Sequence, residues 1–355
     1  MQIDYGYPNA RIKAMKSLLF DAAYYEALLN VDDVQEIIAA LEKTPYKKDI
    51  EEGTLRHPGV QGVEEGLRKN LVNTFRKVVK IADESGPEVK DLVHLLVGRW
   101  DVYNIKTIIR GKHIGATREE ILDSLIPAGE LHEVLLKQLA EAKELKECLD
   151  LLAVWEVPYG RPLTAEFSHY VETGKLADME LALDKFAYQY ALQRTKRMFS
   201  LNARLVREIF QREIDFVNIM TIIRLSREKV DPEEAANYFI EGGKLIDLEK
   251  FLSLVQVEKP EEIVAKLRET PYWDSLSEGL QDYLKYGSIA ALERSMEDLI
   301  VKKNVAMFKG DPLTIAVIIG YVWAKFNEVV NLRILIRGKS VGIPKERIKK
   351  DLVFA

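Results

Sequence analysis

The sequence predicts an all-α protein built from three similar helical repeats of about 114 residues, and three observations carry that prediction. A twelve-residue stretch, Asp101-Val102-Tyr103-Asn104-Ile105-Lys106-Thr107-Ile108-Ile109-Arg110-Gly111-Lys112, returns as Asp215-Phe216-Val217-Asn218-Ile219-Met220-Thr221-Ile222-Ile223-Arg224 and again as Glu328-Val329-Val330-Asn331-Leu332-Arg333-Ile334-Leu335-Ile336-Arg337-Gly338-Lys339. Its asparagines are 114 and then 113 residues apart, and a second landmark, Pro45-Tyr46, Pro158-Tyr159 and Pro271-Tyr272, keeps a step of 113. Apolar residues recur three and four apart along most of the chain, whereas strict alternation bounded by turn dipeptides persists nowhere. At 355 residues the chain exceeds what one core usually serves. Residues 1–126, 127–240 and 241–355 are expected as its three domains.

Each element follows from local signals. Residues 11–42 give two amphipathic helices, the second opened by Asp33 with Glu36 three positions later, in the manner of a capping box. Pro45 stops it, and the glycines 53, 59, 62 and 66 with Pro58 predict a loop. Leu67 to Ala82 is helical. Val89 to Arg110 is expected as one long helix with Val102, Ile105, Ile108 and Ile109 facing a core, ended at Arg110-Gly111-Lys112 by a glycine just past the last turn. Thr117 and Glu120 cap the next helix. Leu131 to Val154 and Leu163 to Met198 continue the pattern, and Asp231-Pro232 and Pro344 open the closing helices of the second and third repeats. The apolar run from Leu313 to Ala324 has twelve residues, short of the roughly 20 that span a bilayer, and reads as a buried helix.

Composition narrows the function classes. With 47% apolar and 30% charged residues each unit can bury a core, and a net charge of −5 argues against nucleic acid as the main partner. A single cysteine, Cys148, rules out an intrachain disulfide, and its apolar mid-helix context reads as a buried inert thiol. Met1 to Ala10 lacks a basic segment followed by an apolar run, so no signal peptide is expected. The five histidines show no metal-ligand spacing, and the glycine-rich stretch lacks the P-loop pattern. Asp32-Asp33-Val-Gln-Glu36 matches the aspartate-rich motif that holds magnesium diphosphate in all-α prenyl-transferring enzymes, but no second motif completes such a site, and helix capping explains it.

The recurring acid, asparagine and arginine of the marker raise the question of a catalytic set. Acid and arginine nine residues apart on one helix point in opposite directions, so each must look to another helix. Asn104, Asn218 and Asn331, beside an apolar stripe, read as satisfying backbone groups at helix crossings. The bases Arg110, Lys112, Arg224, Arg227, Arg337 and Lys339 admit two readings: pairing with the negative end of the helix dipole, or a threefold set of basic rims that meets a partner.

With Tyr5-Gly-Tyr7-Pro-Asn9-Ala10-Arg11 at the amino terminus and the N-[IL]-x-x-[IL]-[IL]-R marker in triplicate, the chain resembles, over essentially its whole length, the C subunits of the rotary V/A-type ATPases, relatives of the d subunit of eukaryotic V-ATPases. The resemblance implies a funnel of three helical units about a pseudo-threefold axis. It implies a non-catalytic rotor part without cofactor or metal, one copy per rotor. That part stands on the cytoplasmic face of the membrane, where it joins the proteolipid ring to the D and F subunits of the central stalk, and it touches the membrane only peripherally or through the ring. A helical scaffold binding peptides is the rival, but its repeats are usually 30–50 residues long and capped at both ends.

Overall fold

The computed structural model describes residues 5–354; Met1–Asp4 of the leader reading and Ala355 of the third repeat lie outside the described residues. Among the described residues every regular element is a helix, in agreement with the predicted class. The chain divides into two compact units, one of residues 149–303 and the other of residues 1–148 with 304–355.

The unit holding both termini contains α1 (Gly6–Lys16), α2 (Ala22–Leu29), α3 (Val34–Leu41), α4 (Lys47–Arg56), α5 (Val60–Asp83), α6 (Pro87–Val97), α7 (Arg99–His113), α8 (Arg118–Ser124) and α9 (Glu133–Glu141), and the boundary falls inside α10 (Leu145–Val154). The other unit holds α11 (Gly160–Thr173), α12 (Leu176–Lys196), α13 (Leu201–Glu228), α14 (Pro232–Ala236), α15 (Leu248–Val255), α16 (Pro260–Lys266) and α17 (Trp273–Tyr286), and α18 (Ala290–Ala306) leads back. A 3₁₀ turn (Met307–Lys309), α19 (Ala316–Ser340) and α20 (Lys345–Asp351) complete the first unit. The marker copies lie on α7, α13 and α19.

Capping follows the sequence except at α3, where Asp33 caps the helix without the reciprocal Glu36 bond of a capping box. Asp33 accepts from Gln35 N–H at 2.8 Å. Thr117 and Glu120 form a complete capping box at α8, and Asp231 caps α14 with Pro232 at its first position. The apolar stripe of the marker is buried: Ile105, Ile108 and Ile109 in α7, Ile219, Ile222 and Ile223 in α13, Leu332, Leu335 and Ile336 in α19. Each such side chain contributes roughly 1.5–3 kcal/mol relative to exposure. Residues Ala316 to Trp323 of α19 are buried all round, which explains the apolar run. No described helix is long and apolar enough to cross a membrane.

Four local readings are corrected. The glycines at 53, 62 and 66 do not form a loop but let α4 and α5 pack backbone to backbone: a Cβ on Gly53 would lie 2.1 Å from the Gly62 carbonyl oxygen, and one on Gly66 would lie 2.6 Å from Ile50 Cα. Only Gly59, with φ 78°, makes the turn between them. Second, the helix expected over Val89 to Arg110 is broken at Gly98, which joins α6 to α7. Third, Leu131 to Val154 is interrupted near Lys143, whose N–H is captured by the Glu147 carboxylate at 2.6 Å to start α10.

The fourth correction concerns the marker itself. Gly111 and Gly338 lie inside their helices, where a Cβ would press on Ile121 of α8 at 2.5 Å and on Ile348 of α20 at 2.7 Å. They are glycine because the following helix crosses there. The helix ends come four residues later, at Gly115 (φ 69°), Lys229 (φ 55°) and Gly342 (φ 73°), which again keep the 114- and 113-residue step.

Candidate functional site

The recurring residues meet at seams where each marker helix is stitched to the segment that follows it. The asparagine does this with both ends of its amide. Asn104 donates to Ile126 C=O at 2.7 Å and accepts from Ile126 N–H at 2.7 Å. Asn218 does the same with Ile240 at 2.8 and 3.0 Å, and Asn331 with Val353 at 2.9 and 3.0 Å. In every copy the partner lies 22 residues further on. All three asparagines are buried, so each replaces the water that an irregular strand leaving a helix would otherwise need.

The acid makes a second stitch. Asp101 accepts from the N–H groups of Glu130 and Leu131 at 2.9 and 2.8 Å. Asp215 accepts from those of Leu245 and Ile246, each at 3.1 Å, and from Tyr272 Oη at 2.9 Å. Gly129 and Gly243 make room, since a Cβ there would sit 2.2 and 2.3 Å from the respective carboxylate oxygens. Burial pushes Asp101 up to about 7 and raises Asp215 as well, against the opposing pull of the backbone N–H groups.

The third acid reaches to the amino-terminal segment. Glu328 accepts from Phe20 N–H at 2.6 Å and from Tyr46 Oη at 2.6 Å. Lys325, one turn earlier, donates to Glu328 at 2.9 Å and to Tyr46 Oη at 2.7 Å, and its charge lies 4.1 Å over the Tyr46 ring. Burial lowers the Lys325 pKa, opposed by Glu328, and raises that of Tyr46. Tyr46 and Tyr272, read from the sequence only as register marks, are thus hydroxyl donors to the marker acid. That the acid and tyrosine recur together was the available signal for this pairing.

The candidate contact bases are mostly held within their own unit. Arg337 forms a two-pronged pair with Glu64 of α5, one arm at 2.7 Å, and Arg224 pairs with Glu293 of α18 at 2.7 Å. Lys112 donates to the carbonyls of Ala140, at 2.6 Å, and Ala142, where α9 ends. Lys339 lies 3.3 Å from Asp32. Asp33 serves as the cap of α3, so the aspartate-rich stretch is occupied structurally. Arg110, Arg224, Arg227 and Arg337 are exposed at the surface. A cleft of about 310 Å³ beside α19 takes Arg68, Arg333 and Arg337 into its wall, with Glu64, Glu65 and Asp123 among them.

Little of this arrangement is reactive. Cys148 is buried, donates to Leu139 C=O at 3.3 Å and is pushed up by burial to about 11, as its context predicted. Among the described residues no group of three or more His, Cys, Asp or Glu side chains could hold a metal ion. The site is a set of joints.

The profile of the family described as "ATP synthase (C/AC39) subunit" matches residues 8–351. The chain is 32% identical over 348 residues to the C subunit of the A-type ATP synthase of Haloferax volcanii, covering 98% of this chain and 97% of that one. It is 32% identical over 351 residues to the protein of the same name from Methanococcoides burtonii (99% and 94%). With the one from Methanocaldococcus jannaschii it shares 30% over 350 residues (98% and 86%).

Proposed function

The chain belongs to the ATP synthase (C/AC39) subunit family, and on that premise we propose that it is the non-catalytic central-stalk rotor subunit of a V/A-type ATPase/ATP synthase. In this reading residues 1–126, 127–240 and 241–355 are three repeats closed about a pseudo-threefold axis as a funnel. One copy stands peripherally at the cytoplasmic face, on the membrane proteolipid ring, and receives the D and F subunits of the stalk. Torque then passes between ion transport and ATP synthesis or hydrolysis through a stiff helical body rather than a reactive side chain.

The observation that supports this reading best is the third seam. Glu328 holds Phe20 and Tyr46, 308 and 282 residues away, so the last marker helix is fastened to the beginning of the chain. A closed set of repeats requires such a joint. An open-ended peptide-binding scaffold, the alternative, does not.

Co-purification tests the reading. A tagged copy expressed in its own cell and extracted in mild detergent should bring down the stalk proteins and proteolipid ring in near-equal amounts. Recovery of the protein alone, with intact ATPase elsewhere in the sample, rejects it. The basic rims, Arg110, Arg224, Arg227 and Arg337 with Lys112 and Lys339, are proposed contacts, and reversing Arg110, Arg224 and Arg337 together should weaken assembly. Because Arg224 also pairs with Glu293, the exchange Arg224→Glu with Glu293→Arg separates the roles. If the exchange restores assembly, the arginine acts within its own unit and not at the partner.

A further inference from the structure

The segment that Glu328 fastens covers a cleft whose floor is made by residues of the third seam. Residues 16–25, between and including the ends of α1 and α2, face α19 and the turn at Met307–Lys309 across a cavity of about 380 Å³. Its walls are aromatic, with Phe20, Tyr25, Phe308 and Phe354. That volume falls in the range of roughly 300–1,000 Å³ typical of small-molecule sites, which pair apolar walls with a few polar groups that fix orientation.

The polar groups of the floor are already committed. Glu328 takes the Phe20 N–H at 2.6 Å, and Asn327 and Asn331 both donate to Val353 C=O, at 2.8 and 2.9 Å. Asp21 at the rim accepts from Tyr24 N–H at 2.8 Å as the cap of α2. Two cations remain. Lys16 and Lys309 both border the cavity, and among the described residues neither has a carboxylate within ion-pair distance. The Lys16 ammonium sits 3.9 Å over the Phe308 ring. Its pKa is lowered by burial and further by the charge of Lys309. Two like charges beside an apolar hollow repel each other until an anion lies between them.

We propose that this cleft binds a small amphiphilic anion, its aliphatic or aromatic body among Phe20, Tyr25 and Phe308 and its carboxylate or phosphate between Lys16 and Lys309. Such a ligand would bridge the amino-terminal segment to the Met307–Lys309 turn and so tighten the third seam from outside.

Octanoate is the probe, titrated into the full chain by calorimetry, with octyl phosphate, 1-octanol and inorganic phosphate in parallel. The expected result is one saturable octanoate site, weakened at least tenfold in Lys16→Gln/Lys309→Gln, a variant that should leave the helix content unchanged by circular dichroism. Inorganic phosphate should bind at least tenfold more weakly than octanoate, and 1-octanol should bind the wild type and the lysine variant alike. Ala324→Leu, which fills the cavity from α19, should remove binding of all three octyl ligands. Tighter binding of octyl phosphate than of octanoate assigns a phosphate head, and the reverse a carboxylate. Hydrogen exchange should slow over residues 16–25 when octanoate is bound. Octanoate affinity unchanged in the lysine variant, or equal to that of 1-octanol, or no saturable binding at all, overturns the proposal.

Discussion

Replacing Asn218 by alanine tests the seams at their simplest, because its whole role is carried by two hydrogen bonds to one residue. Asn218 and Ile240 are both buried, and the bonds measure 2.8 and 3.0 Å. Truncation leaves the Ile240 N–H and C=O in place without partners, at about 1–3 kcal/mol for each stranded group, so the expected loss is about 2–6 kcal/mol. In a cooperative unit of this size, ~3 kcal/mol lowers the midpoint of thermal unfolding by about 6–12 °C. Arg227→Ala, an exposed change on the same helix, should stay within ~0.5 kcal/mol. Asn218→Asp keeps the shape and one acceptor but turns a second oxygen toward Ile240 C=O and buries a charge, so it should be at least as harmful as alanine. The assays are thermal unfolding and amide exchange at Ile240, which should quicken in Asn218→Ala. A midpoint within the scatter of Arg227→Ala, together with unchanged exchange at Ile240, refutes the assignment of the asparagine as a backbone stitch.

Further outcomes follow from the neighbouring groups. Asp101, raised by burial to about 7, binds its proton more tightly folded than unfolded, so its contribution to stability is greatest at acid pH and is lost as pH rises through about 7; the stability difference between wild type and Asp101→Asn should fall over pH 4 to 7 by up to about 1.4 kcal/mol per unit. Lys325→Met leaves Glu328 charged and buried against Tyr46 and should cost about 3–5 kcal/mol in denaturant unfolding, much of it recovered by adding Glu328→Gln. Gly53→Ala, which drives a Cβ into backbone, should lower the unfolding midpoint more than Gly111→Ala, whose Cβ meets side-chain atoms of Ile121 and Ala116 but no backbone; equal losses would contradict the close packing of α4 on α5.

The sequence made the fold class and the asparagine seam legible because both are short-range or repeated signals. Helical periodicity and caps such as Thr117–Glu120 are written within four residues, and three copies of Asn at one register imply one shared environment. The glycines misled for a physical reason. A glycine at 53, 62 or 66 looks the same in a sequence whether it is there for a left-handed turn or for a missing Cβ, and only the arrangement of α4 on α5 separates the two. Gly111 and Gly338 were misread alike, with Gly115 and Gly342 holding the true helix ends. The partners of Arg224 and Arg337 lie 69 and 273 residues away, beyond the reach of any local pattern. Lys325 lay one turn before the marker acid, but nothing in the chain announced that both would be buried.

The third seam has a harder task than the other two, and its chemistry matches. Asp101 closes a span of 29 residues to Glu130, whereas Glu328 closes 308 to Phe20. In an unstructured chain each doubling of a loop adds ~0.6 kcal/mol of closure cost, so the longer closure carries ~2 kcal/mol more. The other acids meet that task with a short side chain and successive backbone N–H groups. Here a longer glutamate reaches one N–H and a tyrosine, with Lys325 balancing its charge. Around it Lys345 binds Asn30, Lys349 binds Glu26 and Arg337 binds Glu64. Those outer ties lie near the surface and weaken in salt, whereas the neutral Asn331 stitch does not. In the proposed rotor, a body holding register under load would draw its strength from the second kind of joint, and the first kind would mark the place where it opens.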